Sequence, residues 1–159
     1  MDRFSPLLYT ILVGTMTGTA EIVADEIGYA LEQGGAAVTQ MDMADATLAV
    51  FERPGRFIIC CSTYGSGDVP DNAQALYASL LTEKPDLSSV RYAVFGLGDH
   101  AYAETFGYGG RKFDAALESL GATRLIETFV HDASGDTLPE DDCLKWLQPL
   151  LAECSAAQS

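Results

Sequence analysis

Five short apolar or β-branched runs, Leu7 to Val13, Ala36 to Met41, Phe57 to Cys61, Tyr92 to Phe95 and Leu125 to Val130, alternate along this chain with segments of helical period. Runs this short, bounded by turn residues, suit strands covered on both faces. The stretch from Thr19 to Gln33 puts Val23, Ile27, Ala30 and Leu31 on one stripe and stops at Gly34-Gly35. Asp71 or Asn72 is placed to cap a second helix through Leu81, with Leu76 and Leu80 inward and Lys84-Pro85 as its end. Phe113, Leu117 and Leu120 line a third, closed by Gly121. A fourth starts near Pro139, carries Glu140, Asp141 and Asp142 where the helix dipole favours acids, and is expected to bury Leu144, Leu147 and Trp146. The segment from Asp42 to Phe51 admits a short helix. Strands alternating with helices need right-handed crossovers, which cover a parallel sheet on both faces. With no linker, repeat or low-complexity tract, residues 1–159 are expected to form one α/β domain, a doubly wound five-stranded parallel sheet with helices on both faces.

Charge narrows the partners. A formal net charge of -14 repels nucleic acid and anionic membrane alike and favours basic proteins. The four cysteines, Cys60, Cys61, Cys143 and Cys154, are too few and too irregular for a disulfide framework, and no Cys/His cluster has zinc spacing, so no metal is expected. Cys60 and Cys61 should point to opposite faces of one strand and pack as small hydrophobes. Arg3 is the one basic residue before the stretch from Leu7 to Val13, which contains Tyr9 and Thr10, so neither a secretory signal nor membrane insertion is expected, and a cytoplasmic location is.

Three loops carry the chemistry, each directly after a predicted strand: Gly14-Thr15-Met16-Thr17-Gly18-Thr19-Ala20, Ser62-Thr63-Tyr64-Gly65-Ser66-Gly67-Asp68 and Gly96-Leu97-Gly98-Asp99-His100-Ala101-Tyr102. Loops at the carboxyl ends of neighbouring parallel strands converge on one crevice, so the three imply one composite ligand site. In the first, Gly14 and Gly18 allow tight turning, three threonines supply hydroxyls, and the following helix directs its positive end into the loop. The loop lacks the lysine of a nucleotide triphosphatase and the glycine spacing of the dinucleotide fingerprint. A terminal monophosphate held by neutral donors fits. An ordinary capped strand-to-helix turn uses the same residue types.

Taken together, Thr15-x-Thr17-Gly18-Thr19-Ala20-Glu21, Ser62-Thr63-Tyr64-Gly65-x-Gly67-Asp68-x-Pro70-Asp71-Asn72-Ala73 and Phe95-Gly96-Leu97-Gly98-Asp99-x-x-Tyr102 resemble the flavodoxin family in order and spacing over nearly the whole chain. The likeness is to short-chain, MioC-like flavodoxins and to the FMN domains of diflavin reductases. It implies a flavodoxin-like fold, FMN as cofactor and electron transfer as function. Residue by residue, it assigns the FMN phosphate to Thr15, Thr17, Gly18 and Thr19, with Met16 also in the implied cofactor site and Ala20 at a position where related chains often carry a hydroxyl. It sets Tyr64 and Tyr102 against the two faces of the flavin ring. Ser62, Thr63, Gly65, Gly67, Gly96, Leu97, Gly98, Asp99 and Phe106 complete the implied site. Gly65 is the residue whose peptide can flip to offer its carbonyl to reduced N5, a rotation glycine makes without steric cost. Asp68, Asp99 and Glu104 would surround the ring with negative charge.

The resemblance implies a carrier with no acid, base or nucleophile of its own, since the flavin supplies the redox chemistry. Its implied partners are a basic flavodoxin or ferredoxin reductase and a metalloenzyme acceptor. An FMN-dependent NAD(P)H:quinone-type oxidoreductase is the alternative, against which stands the lack of an evident nicotinamide site. His100 adjoins the implied flavin edge, His131 is expected to be exposed in an Asp-rich turn, and Tyr108-Gly109-Gly110 departs from the related pattern.

Overall fold

A computed structural model describes residues 7–15, 18–62, 69–98, 108–132 and 135–158. The strands are β1 (Leu8–Gly14), β2 (Ala37–Asp42), β3 (Arg56–Ser62), β4 (Arg91–Gly98), β5 (Thr123–Arg124) and β6 (Phe129–Asp132). All pair in parallel, in the order β2-β1-β3-β4-β5, with β6 also on β4. Five positions are thus filled, the fifth in two pieces. The single strand expected from Leu125 to Val130 is interrupted because its middle is drawn away from β4: the Glu127 carbonyl accepts the Trp146 indole N–H at 2.8 Å, and Thr128 Oγ1 donates to Asp114 Oδ2 at 2.7 Å.

Four helices cover the sheet: α1 (Thr19–Gln33), α2 (Gln74–Glu83), α3 (Tyr108–Ser119) and α4 (Pro139–Gln158). The glycine stops act as expected, with Gly35 and Gly121 both at φ 97°. Helix α2 ends at Lys84, whose φ of 45° is left-handed, just before Pro85. Its start departs from expectation: Asp71–Ala73 forms a separate 3-10 turn and no side chain caps α2. Asn72 is drawn instead toward the end of β1. The segment from Asp42 to Phe51 forms two 3-10 turns, Met43–Asp45 and Leu48–Glu52. Tyr108, Gly109 and Gly110 open α3 as helix, and a Cβ on Gly110 would lie 3.0 Å from the Gly96 Cα, so glycine at 110 lets α3 close on β4.

Period-2 alternation divides the strands between two cores. Leu12, Ile59, Cys61 and Val94 face Leu76 and Leu80 of α2 and Phe113 and Leu117 of α3. Ile11, Val13, Ile58, Cys60 and Phe95 face Val23, Ile27 and Leu31 of α1 and Leu147 and Leu150 of α4. Cys60 and Cys61 point to opposite sides, as alternation requires. All four thiols are free and buried. Burial drives them toward the neutral form, pushing Cys143 up to about 12. Trp146 is only partly buried, edge-on to Phe95 at 5.4 Å.

His131 departs most from expectation. It lies inside β6 opposite Leu97, 4% exposed, with Nδ1 2.7 Å from Asp142 Oδ2. The strand continues two residues beyond its predicted end, and alternation turns His131 inward. Burial raises the pKa of Asp142, but the hydrogen bonds from His131 and Thr137 and the positive field of His131 and Lys145 outweigh it, so the net shift is down. A depressed carboxyl adds stability that is complete above its unfolded value, about 3.9, and is lost as pH falls through the folded value. Asp142→Asn should therefore lower the urea midpoint at pH 7, by a gap that narrows as pH falls below about 3.9. A gap that does not narrow would count against the pairing.

Candidate functional site

Register sets the starts of the three loops at one edge. Gly14 of β1 pairs with Cys61 of β3, and Ser62 pairs with Leu97 of β4, so Thr15, Ser62 and Gly98 leave the sheet side by side. The turn after β1 is held from within. Thr15 Oγ1 accepts the Gly18 N–H at 3.0 Å, and Gly18 begins α1 at φ 91° and ψ -7°, a conformation that disfavours any residue with a Cβ. Having no side chain, Gly18 provides no side-chain cap for the first turn of α1. The Thr15 hydroxyl accepts at its oxygen and keeps its proton as a donor. Half-buried Thr19 adds a second hydroxyl at the helix start, where the dipole favours an anion. Ala20 is fully buried against the α1 side of the sheet, which suits a methyl and not a hydroxyl.

Gly14 has a different role from the one expected. A Cβ there would meet Met43 Sδ at 3.0 Å and the Ala73 Cβ at 3.1 Å and would have to push them aside, so close packing, not tight turning, favours glycine here. A residue that sequence reasoning offered only as a helix cap is Asn72, whose Oδ1 accepts the Thr15 N–H at 2.9 Å and whose Nδ2 donates to Asp42 Oδ1 at 2.8 Å. The signal that could have found it is its position right after the second loop, on the segment that must pass the end of β1.

Of the implied site residues, Thr15, Gly18, Thr19, Ser62, Gly96, Leu97 and Gly98 are brought together at this edge. Met16, Thr17, Thr63, Tyr64, Gly65, Gly67, Asp68, Asp99, His100, Tyr102, Glu104 and Phe106 lie outside the described residues. Among the described residues, no group of three or more His, Cys, Asp or Glu is arranged to hold a metal, and no helix is long and apolar enough to cross a membrane. The donor set at the first loop is neutral: hydroxyls and a helix N-terminus, with no lysine or arginine from residue 14 to 20. That chemistry fits a phosphate monoester approached from solvent.

The profile of the flavodoxin family matches residues 11–146, most of the chain. The chain belongs to the flavodoxin family. Protein MioC of Escherichia coli K12 is 34% identical over 138 residues, covering 87% of this chain and 92% of that protein. Human NADPH–cytochrome P450 reductase is 36% identical over 141 residues, covering 86% of this chain and 20% of the reductase. The solved structure of flavodoxin from Pseudomonas aeruginosa, a cysteine-to-alanine variant, superposes with a TM-score of 0.78 at 32% identity, covering 96% of this chain and 99% of its own. The strand order β2-β1-β3-β4-β5 is the flavodoxin order of doubly wound sheets. Flavodoxins bind FMN and transfer electrons, so FMN is the cofactor of this flavodoxin and electron transfer its function.

Proposed function

We propose that this flavodoxin holds FMN across the carboxyl edge of β1, β3 and β4 and carries electrons between a basic flavodoxin or ferredoxin reductase and a metalloenzyme acceptor in the cytoplasm, working as one domain over residues 1–159. One observation supports the assignment of the phosphate: Thr15 Oγ1 accepts the Gly18 N–H, which holds the Thr15 hydroxyl beside the start of α1, whose N-cap Gly18 has no side chain to bind the first-turn amides. On this reading Thr15, Met16, Thr17, Gly18 and Thr19 hold the phosphate through neutral donors. Tyr64 and Tyr102 flank the ring, where each aromatic stack contributes about 0.5–1.5 kcal/mol beyond burial. Ser62, Thr63, Gly65, Gly67, Gly96, Leu97, Gly98, Asp99 and Phe106 shape the remaining contacts and keep water from the ring. The isoalloxazine supplies the redox chemistry when bound, and the chain sets its orientation and electrostatics.

Heat release followed by chromatography should yield FMN and neither FAD nor riboflavin. Thr17→Val removes a phosphate donor only. A hydrogen bond to a charged group is worth about 1.5–3 kcal/mol net, so FMN affinity should fall roughly tenfold or more while riboflavin binds as before. Equal losses for both flavins would contradict the phosphate assignment. Rapid turnover of NADPH and a quinone by the purified holoprotein, with no reductase added, would replace the carrier reading by that of an enzyme.

The net charge of -14 supports basic partners. Screening shortens to about 8 Å at physiological ionic strength, so the bimolecular rate with a basic reductase should fall steadily as salt rises. A rate indifferent to salt removes the electrostatic part of the proposal.

A further inference from the structure

We propose that Asn72 is a positioning residue for the phosphate loop, holding the Thr15 to Gly18 turn in the shape that selects a phosphorylated flavin; the inference rests on the phosphate assignment made above. Both ends of its amide are engaged. Oδ1 accepts the Thr15 N–H at 2.9 Å, while Nδ2 donates to Asp42 Oδ1 at 2.8 Å and, over a longer 3.4 Å, to the Val13 carbonyl. These partners fix the amide's orientation, because the reversed group would oppose donor to donor at Thr15 and acceptor to acceptor at Asp42. Val13 and Thr15 lie at the end of β1 and Asp42 at the end of β2, whereas Asn72 arrives from the segment after β3. A single side chain therefore joins three chain segments at the edge where the loops emerge.

The tie continues into the site. Thr15 is held at its amide by Asn72 and at its hydroxyl oxygen by the Gly18 N–H, so the shape set by Asn72 passes through Thr15 to the first turn of α1. Asp42 steadies the far end, since its Oδ1 also accepts the Ala44 N–H at 2.8 Å. Packing fixes the same geometry: the 3.1 Å approach of an imagined Gly14 Cβ to the Ala73 Cβ means that the turn holding Asn72 sits directly on the strand end before Thr15. Asn72 need touch no ligand for this. A turn whose ends at Thr15 and Gly18 are already held loses less freedom on binding, and the benefit falls on the phosphate because this is the turn assigned to it.

The test uses the ratio of FMN to riboflavin affinity in apoprotein, measured by quenching of flavin fluorescence, since the two ligands differ only by the phosphate. Asn72→Ala is expected to weaken FMN about tenfold and to leave riboflavin within about twofold, in line with the effect of groups that orient a ligand's direct contacts. Asn72→Asp keeps an acceptor for Thr15 but sets a second carboxylate against Asp42, so it should show a similar loss, partly recovered by adding Asp42→Asn, which returns a donor to the pair. Should the alanine variant fail to fold, the aspartate variant and its partner substitution read the same ratio. A ratio unchanged in the Asn72 variants, or equal loss for both flavins, overturns the role of Asn72 while the phosphate assignment stands. Wild-type protein that does not distinguish FMN from riboflavin overturns that assignment and this proposal with it.

Discussion

Asp114→Ala should lower the unfolding free energy by about 3 kcal/mol, the lower end of the range for breaking a buried ion pair from one side. Asp114 is 9% exposed on α3, and its carboxylate is crowded with donors. Oδ1 accepts from the Tyr92 hydroxyl at 2.6 Å, Oδ2 from Thr128 Oγ1 at 2.7 Å, and Arg124 Nη1 reaches both oxygens at 3.0 and 2.8 Å. The Tyr92 phenol is pushed up, by burial first and then by the bond to Asp114, so it remains a donor at any ordinary pH. Alanine would take the carboxylate from three donors at once, leaving Tyr92 the Asp114 main-chain carbonyl at 3.2 Å and Arg124 the Glu118 carboxylate at 3.5 Å. The effect stays at the lower end because the Arg124 side chain is 40% exposed and water can take its charge. At about 2–4 °C per kcal/mol for a domain of this size, the melting temperature should fall by roughly 10 °C. Asp114→Asn, which keeps an acceptor for Tyr92, should lose clearly less. A loss under about 1 kcal/mol for the alanine variant would show that the carboxylate is dispensable and that packing alone docks α3 against β5 and β6.

The same network marks the limit of what the sequence disclosed. Glycine stops, helix stripes and the opposed faces of Cys60 and Cys61 were legible because each follows from backbone geometry a few residues long. The points where the three loops begin were legible because parallel strands deliver them to one edge whatever the details of packing. Asp114, Arg124 and Thr128 carry no local signal: their meeting depends on how α3 lies against an interrupted fifth strand. That interruption was hidden for the same reason, since Leu125 to Val130 has ordinary strand composition and the bonds that divert it come from Trp146 and Asp114, outside the segment. Asn72 shows a subtler failure. An asparagine before a helical pattern reads as a cap on propensity alone, yet the nearby end of β1 offered its amide stronger partners. Gly14 likewise looks like a turn residue until Met43 and Ala73 are seen against it. In each case a tertiary neighbour overrode a local preference, and the overrides at Gly14 and Asn72 fall at the edge where the phosphate is assigned.

Gly55→Ala should be the most damaging glycine substitution in the sheet, costing about 3–5 kcal/mol, with two separable causes. Gly55 has φ 97°, where an L side chain meets its own carbonyl at a penalty of about 1–2 kcal/mol. The new Cβ would also lie 2.4 Å from the Leu8 carbonyl oxygen and 2.6 Å from the Leu8 Cβ. Leu8 opens β1 opposite Ala37 of β2, and its neighbour Tyr9 is paired with Arg56, so the backbone cannot withdraw without opening ladders on both sides. Gly28→Ala provides the contrast. It lies inside α1, and its Cβ would meet its nearest neighbour at an ordinary 3.5 Å, so alanine there should be neutral or add up to about 1 kcal/mol from helix propensity. The damage at Gly55 is at the amino end of β1, with the length of that seven-residue strand, roughly 20 Å, between it and Thr15. The folded fraction of Gly55→Ala should therefore keep the wild-type ratio of FMN to riboflavin affinity while its melting temperature falls by 10 °C or more, on the scale of about 2–4 °C per kcal/mol. A melting temperature within a few degrees of wild type would mean that β1 and β3 can part at this end without loss, and that the sheet is held chiefly at the edge where the loops emerge.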